Sequence, residues 1–292
     1  MTTLVRRATA LCALTAASVA LAACGTTEAG KTPRPSPSAP SAAASRPAAP
    51  AEPAGAPTLA PGPAGHTPVF EHGPRTGDRT VALTFDADMT ADEGPRAAAG
   101  ERFDNPGLIA TLRKLKVPAT VFMTGRWAEE YPEQARAIGR DPGFEIANHS
   151  YSHYAYRSGC YGLPTVSPER MRTDVERAYT AFRKAGVPDP MPYFRFPGGC
   201  YDKAALKALT PAGVTAVQWD VVSGDAFATD ADAVARQVLD GVRPGSVVVM
   251  HCTLSAAPAT ERAVRTIVPE LRERGYRFVK VSELIGAANG RH

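Results

Sequence analysis

The stretch Ser246-Val247-Val248-Val249-Met250-His251 decides how this 292-residue chain is read. Four successive apolar residues, with no alternation of polar side chains, describe a parallel strand covered on both faces. His251 then falls at the strand's C-terminal end, the place where α/β barrels gather their chemistry. Six other short runs rich in β-branched and aromatic residues read the same way: Val81–Phe85, Thr120–Met123, Phe144–Ala147, Tyr193–Phe196, Val214–Trp219 and Arg277–Val281.

Helical patterns lie between these runs. Asn105-Pro106 is an N-cap and first-turn pair leading into Leu108, Ile109 and Leu112, with Leu115 one turn on. Ser167-Pro168 opens a second helix, with Met171, Val175, Ala178 and Phe182 along one face. Asp230 is expected to cap a third, with Val234 and Val238 inward. Ala263, Ile267 and Leu271 mark a fourth, and Ser282–Ile285 begins a terminal one. Seven strands alternating with helices predict a single α/β domain, a parallel barrel rather than an open doubly wound sheet. No Gly-x-Gly-x-x-Gly follows the first strand, and no internal repeat is seen.

The N-terminus reads as an export signal. Arg6 and Arg7 precede an apolar run from Ala8 to Ala22, too short to span a bilayer comfortably, followed by Ala23-Cys24. The ending Leu21-Ala22-Ala23-Cys24 resembles a bacterial lipoprotein box. Residues 1–23 are thus expected to be removed, Cys24 to be lipidated, and the protein to sit on the outer face of the cytoplasmic membrane. The segment 24–65 is rich in Pro, Ala, Ser and Thr and is expected to be a disordered tether. The folded domain is assigned to 66–292. The formal charge of +4 loses Arg6 and Arg7 with the signal and stays near neutral, which excludes the basic stripe of a nucleic-acid binder. No protein partner is expected.

With Cys12 and Cys24 assigned to the signal and anchor, Cys160, Cys200 and Cys252 remain, an odd number. Cys160 and Cys200 follow two motifs described next and are expected to pair. Cys252 reads as a small buried residue.

Five segments carry chemistry. Asp86 and Asp88 follow the first strand, and residues two apart on an extended chain point the same way. His149 and His153 are four apart; two imidazoles and one carboxylate make an open three-ligand metal site. Arg195 offers a planar guanidinium to hold a carboxylate in one orientation, and Pro197-Gly198-Gly199 makes a turn whose backbone can approach an oxyanion. Trp219 leads a segment ending at Asp225. His251 suits protonation of a leaving amine, with Asp225 as its partner.

Over residues 78–286 the chain resembles the polysaccharide deacetylase family, the fourth class of carbohydrate esterases. The resemblance rests on Thr84-Phe85-Asp86-Ala87-Asp88, Glu145 to His153, Arg195-Phe196-Pro197-Gly198-Gly199, Asp225 and Val249-Met250-His251, in the family's order. It implies an α/β fold that is a distorted barrel of seven to eight parallel strands, and a divalent metal, commonly zinc, on His149, His153 and an aspartate. It implies Asp86 as the general base, oriented by Arg195, activating a water on that metal. A backbone N–H near Gly199 would hold the oxyanion, and His251, backed by Asp225, would act as the acid. Gly198, Gly199, Tyr201 and Trp219 are assigned to the oxyanion and substrate side.

Three positions depart from the family. Ala87 stands where the second aspartate, the usual third ligand, belongs, and Asp88 is expected to replace it by a one-residue shift. Gly198 replaces an aromatic that lines the sugar groove. Ala226 replaces a Trp, with Phe227 adjacent. The stretches Met89–Gly107 and Tyr154–Thr165 are long enough to reshape that groove. The expected activity is removal of acetyl groups from an N-acetylated amino-sugar polysaccharide, peptidoglycan or chitin-like. The alternatives are an O-acetyl xylan esterase using the same site and a non-catalytic glycan-binding lipoprotein.

Overall fold

The computed structural model describes residues 55–290. The expected signal sequence, the expected lipidation site Cys24 and residues 24–54 of the expected tether lie outside them. Nine strands form one sheet: β1 (Val69–Phe70), β2 (Thr80–Ala87), β3 (Ala119–Met123), β4 (Phe144–Asn148), β5 (Tyr193–Phe194), β6 (Thr215–Val217), β7 (Val221–Val222), β8 (Ser246–His251) and β9 (Arg277–Phe278). Eight follow the order β1-β6-β5-β4-β3-β2-β8-β7, with β9 added beside β2, and the strand pairs run parallel. Among the described residues the end strands β1 and β7 do not pair with each other. The sheet curls into a half-barrel, which agrees with the parallel barrel expected from the alternation of elements and with the distorted barrel the family resemblance implies.

Among the described residues the α-helices are α1 (Gly94–Ala98), α2 (Pro106–Leu115), α3 (Gly125–Glu130), α4 (Pro132–Gly139), α5 (Pro168–Ala185), α6 (Lys203–Leu209), α7 (Ala231–Gly241), α8 (Thr260–Glu273) and α9 (Val281–Ala288). The expected caps form: Asn105 accepts from Leu108 N–H, and Asp230 accepts from Asp232 and Ala233 N–H. Met171, Val175, Ala178 and Phe182 are the buried stripe of α5, and Ala263, Ile267 and Leu271 that of α8.

Alternation along β2 sets up everything at the site. Val81, Leu83, Phe85 and Ala87 belong to the main core between sheet and outer helices, whereas Ala82 belongs to the core inside the barrel. The even-numbered residues therefore face inward. At the N-terminal end of the barrel, Val281, Leu284 and Ile285 of α9 pack with Phe70, Phe122 and Val247 and stop that end. Buried Glu145 accepts from Thr120 Oγ and Ser282 N–H and so pins the start of α9.

Several boundaries differ from expectation. The runs Val214–Trp219 and Arg277–Val281 shorten to Thr215–Val217 and Arg277–Phe278, with Val281 opening α9. Two further differences have a clear cause. The strand predicted through Phe196 ends at Phe194, because Pro197 opens a turn of 3-10 helix there. The segment 57–65, placed in the tether by its composition, lies on the domain. Pro57 O accepts from the Tyr193 hydroxyl at 2.8 Å, Leu59 packs on the inner core, and Asn289 bonds to Thr58 O. A proline-rich segment has little ordering entropy left to lose, so a few such contacts suffice to lay it down.

No described helix is long and apolar enough to cross a membrane.

Candidate active site

Asp86 is the last inward residue of β2. In the strand register it lies opposite Phe122 of β3 and His251 of β8. Its Oδ1 accepts from Arg195 Nη1 at 2.7 Å. Arg195 is fully buried, donates also to the carbonyls of Val217 and Gln218, and lies 3.9 Å over the Phe122 ring. Burial lowers the guanidinium's pKa, and the facing Asp86 opposes that shift. A charge held this deeply by one carboxylate and two carbonyls is a fixed electrostatic element.

Ala87 points outward into the main core with no exposed surface, so the chain must advance one more residue to return a side chain inward. That residue is Asp88. Its N–H donates to Thr253 Oγ at 3.0 Å, which anchors the strand end. Its Oδ1 lies 3.3 Å from His149 Nε2 and 3.6 Å from His153 Nε2, and its Oδ2 lies 3.8 Å from His251 Nε2.

The histidines are placed by backbone strain and second contacts. His149 Nδ1 lies 2.9 Å from Arg195 O; a carbonyl only accepts, so Nδ1 carries the hydrogen and Nε2 presents its lone pair. Ser150 and His153 both adopt positive φ, 69° and 56°. Asn148 Oδ1 accepts from Ser150 N–H and Ser150 Oγ from His153 N–H, holding this tight reversal that brings the second imidazole beside the first.

Asp88, His149 and His153 thus form one group whose ligand atoms lie within 4.8 Å of one another. Asp88 Oδ1 is buried with no hydrogen-bond partner. A carboxylate oxygen facing imidazole lone pairs is unfavourable until something positive lies between them, so the donor set fits a divalent cation, and two nitrogens with one oxygen suit zinc. Burial drives His153 down to about 4, against the pull of Asp88 and with the repulsion of His149. Burial would raise the Asp88 carboxyl, yet the three imidazoles hold it well below the usual range.

His251 completes the cluster. Its Nδ1 lies 2.7 Å from Asp225 Oδ1, its backbone N–H donates to Asp225 Oδ2, and its Nε2 faces the site. Asp225 is buried and accepts further from Ser223 and Thr260 hydroxyls. Burial alone would lower the imidazole, but the Asp225 carboxylate outweighs it and pushes His251 up to about 10.

The Pro197–Gly199 turn requires a correction. Gly199 N–H donates to Phe196 O at 2.7 Å, so it is not free for an oxyanion; Gly198 N–H has no protein acceptor among the described residues. A Cβ on Gly199 would lie 2.5 Å from the Trp219 ring, which packs there and 5.4 Å from the Arg195 guanidinium. Trp219 therefore shores up Arg195 and the turn. Tyr201 stacks on Phe196 at 5.0 Å. Cys160 and Cys200 form a disulfide across the same turn. A Cβ on Gly198 would meet Cys160 Sγ at 2.6 Å and the Tyr161 ring at 3.2 Å, so the disulfide loop occupies the space of a side chain at 198. Cys252 is buried and burial pushes its thiol up to about 12, which leaves it inert.

Thr253 and Thr260, which hold Asp88 and Asp225, were not foreseen. Thr253 shares the parity of His251 and was readable from it; Thr260 arrives from the start of α8, with no local signal. Beside Asp88 and His153 opens a cavity of about 250 Å³, walled by Glu93 and Arg96 of one long insertion, Leu163 of the other, and Phe227. A larger cavity of about 740 Å³ lies between Tyr154, Arg170 and Arg177 and contains none of the clustered groups.

Comparison with known proteins agrees with this geometry. Residues 73–217 match the family described as polysaccharide deacetylase. A peptidoglycan-N-acetylglucosamine deacetylase of Bacillus cereus is 30% identical over 211 residues, 71% of this chain and 89% of that protein. A chitooligosaccharide deacetylase of Bradyrhizobium sp. (strain ANU 289) is 29% identical over 225 residues, 73% and 94% of the two chains. A solved peptidoglycan N-acetylglucosamine deacetylase, in complex with a naphthalenyl N-oxidanyl-benzamide, superimposes with a TM-score of 0.63 at 25% identity, covering 75% of this chain and 92% of that one.

Proposed function

Because the chain belongs to the polysaccharide deacetylase family, we propose that it is a metal-dependent hydrolase removing acetyl groups from an N-acetylated amino-sugar polysaccharide of the cell wall. One observation carries this reading. An arginine-held carboxylate, an Asp/His/His group and an aspartate-backed imidazole converge at the C-terminal mouth of one barrel, each within 4 Å of the next. The names of the two relatives, for peptidoglycan N-acetylglucosamine and chitooligosaccharide, support an N-acetylated glycan as substrate.

Asp88, His149 and His153 would hold a divalent cation, most simply zinc, which when bound supplies a Lewis acid for the acetyl carbonyl and a lowered pKa for water. Arg195 fixes Asp86 through Oδ1, leaving Oδ2 to take the proton of the attacking water. Gly198 N–H, the unpaired amide of its turn, is assigned to the developing oxyanion. Protonated His251, steadied at Nδ1 by Asp225, gives the Nε2 proton to the amine nitrogen as the C–N bond breaks. The products are acetate and a free amino sugar.

We place the enzyme outside the cell, lipid-anchored at Cys24. The Leu-Ala-Ala-Cys ending supports this, and so does the disulfide, since such bonds persist in oxidising compartments. Cys24→Ala is expected to move the protein from the membrane fraction to the medium.

The deciding experiment measures metal content and acetate release from chitooligosaccharide and from acetylated xylan. Retention of about one metal per chain and preferential release from the chitooligosaccharide are expected. Faster release from xylan would reassign the enzyme to ester substrates. No release from either after zinc or cobalt is supplied would leave a glycan-binding protein.

A further inference from the structure

Tyr161 and Phe227 are the two most exposed large apolar side chains among the described residues, 87% and 85% accessible. Both also hold a left-handed backbone, with φ of 47° and 66°. Bulky side chains rarely adopt that conformation, and it persists only where the surroundings enforce it. Here the surroundings do so twice, by different means. Phe227 N–H is fastened to Ala256 O. Tyr161 follows Cys160, whose disulfide to Cys200 ties the loop to the Pro197–Gly199 turn, while Leu163 N–H closes back on Cys160 O. Two strained aromatics, each pinned and each pointed into water, are not explained by packing.

Their location gives the explanation. Phe227 and Leu163 line the cavity that also holds Asp88 and His153. Tyr161, two residues before Leu163, fills the space above Gly198. The faces of a pyranose ring are hydrocarbon, and an aromatic face is the surface that packs on them with large area and little entropy to lose. Resting on the deacetylase reading for the identity of the ligand, we propose that Phe227, Leu163 and Tyr161 form a rim that grips the sugar rings flanking the acetylated one. The rim sets a preference for polymer over short substrates, and the Cys160–Cys200 disulfide holds its Tyr161 side in place.

The test compares the wild type with Phe227→Ala, Tyr161→Ala and Phe227→Trp, using chitotetraose and the sugar-free ester para-nitrophenyl acetate. Calorimetric binding of chitotetraose is expected to weaken about tenfold in each alanine variant, because each loses one aromatic face. The ratio of kcat/KM for tetramer over ester should fall by about the same factor, with the loss in KM, and Phe227→Trp should restore both. Unchanged binding in both alanine variants, or equal loss on tetramer and ester, would overturn the rim. A wild type that does not bind the tetramer would overturn it as well. Binding that depends on the two aromatics without acetate release would uphold the rim and refute the deacetylase reading.

Discussion

His149 Nε2 and Asp88 Oδ1 lie 3.3 Å apart, although His149 has already spent its ring hydrogen on the Arg195 carbonyl. Two acceptors at that distance need a cation or a proton between them. Asp88→Ala is therefore expected to lower zinc affinity by about a hundredfold or more, measured by competition with a chromophoric chelator. Unchanged affinity would move the third ligand to another residue.

The neighbouring position should not rescue it. Ala87 is enclosed in the outer core, so Ala87→Asp would bury a carboxyl among Leu83, Phe85 and their neighbours. Combining Ala87→Asp with Asp88→Ala is expected to destabilise the protein by about 3 kcal/mol or more without restoring the metal. Denaturant unfolding and metal analysis on the same sample decide it.

Arg195 and Asp86 form an ion pair with almost no exposure, so removing one partner strands the other. Arg195→Met is expected to cost roughly 3–5 kcal/mol, and joining it with Asp86→Leu should recover most of that loss while abolishing acetate release. If the double variant is as unstable as the single one, the cost lies in Arg195's stacking on Phe122 instead.

His251→Ala should separate amides from esters. An amine leaves poorly without a proton, whereas an activated phenolate needs none, so kcat on the chitooligosaccharide should fall about a hundredfold or more and that on para-nitrophenyl acetate far less. Equal losses would show that His251 acts through binding rather than by proton transfer.

The segment before residue 66 should matter to stability. A protein beginning at residue 66 loses the bond from the Tyr193 hydroxyl to Pro57 O and the packing of Leu59, and is expected to be less stable by about 2 kcal/mol than one beginning at 55. Matching urea midpoints would mean the segment only rests on the surface.

Much of this was legible in the chain itself. The seven runs from Val81 to Val281 were found because parallel strands buried on both faces write their apolar character continuously, as Val247–Met250 does. The two-residue strands Val69–Phe70 and Val221–Val222 were not, whereas the equally short Tyr193–Phe194 and Arg277–Phe278 were, because each of those sits in a longer run of apolar and aromatic residues. The short helices Gly94–Ala98, Gly125–Glu130, Pro132–Gly139 and Lys203–Leu209 were missed because one or two turns show too little of the helical period. At the site, parity along β2 was enough to send Asp86 and Asp88 to one side and Ala87 to the other. What parity cannot supply is hydrogen-bond commitment: that Gly199 N–H is spent on Phe196 O depends on how a Pro-Gly-Gly turn closes, and the letters do not say.

The stopper formed by Val281, Leu284 and Ile285 at the far end of the barrel has a kinetic consequence. With the far end filled, the mouth that holds Asp88 and His251 is the open end of the barrel, so on the deacetylase reading acetate and glycan would share it. Release of the small product would then be coupled to movement of the polymer. On long substrates, traffic through that mouth, rather than bond cleavage, would set the pace of the enzyme.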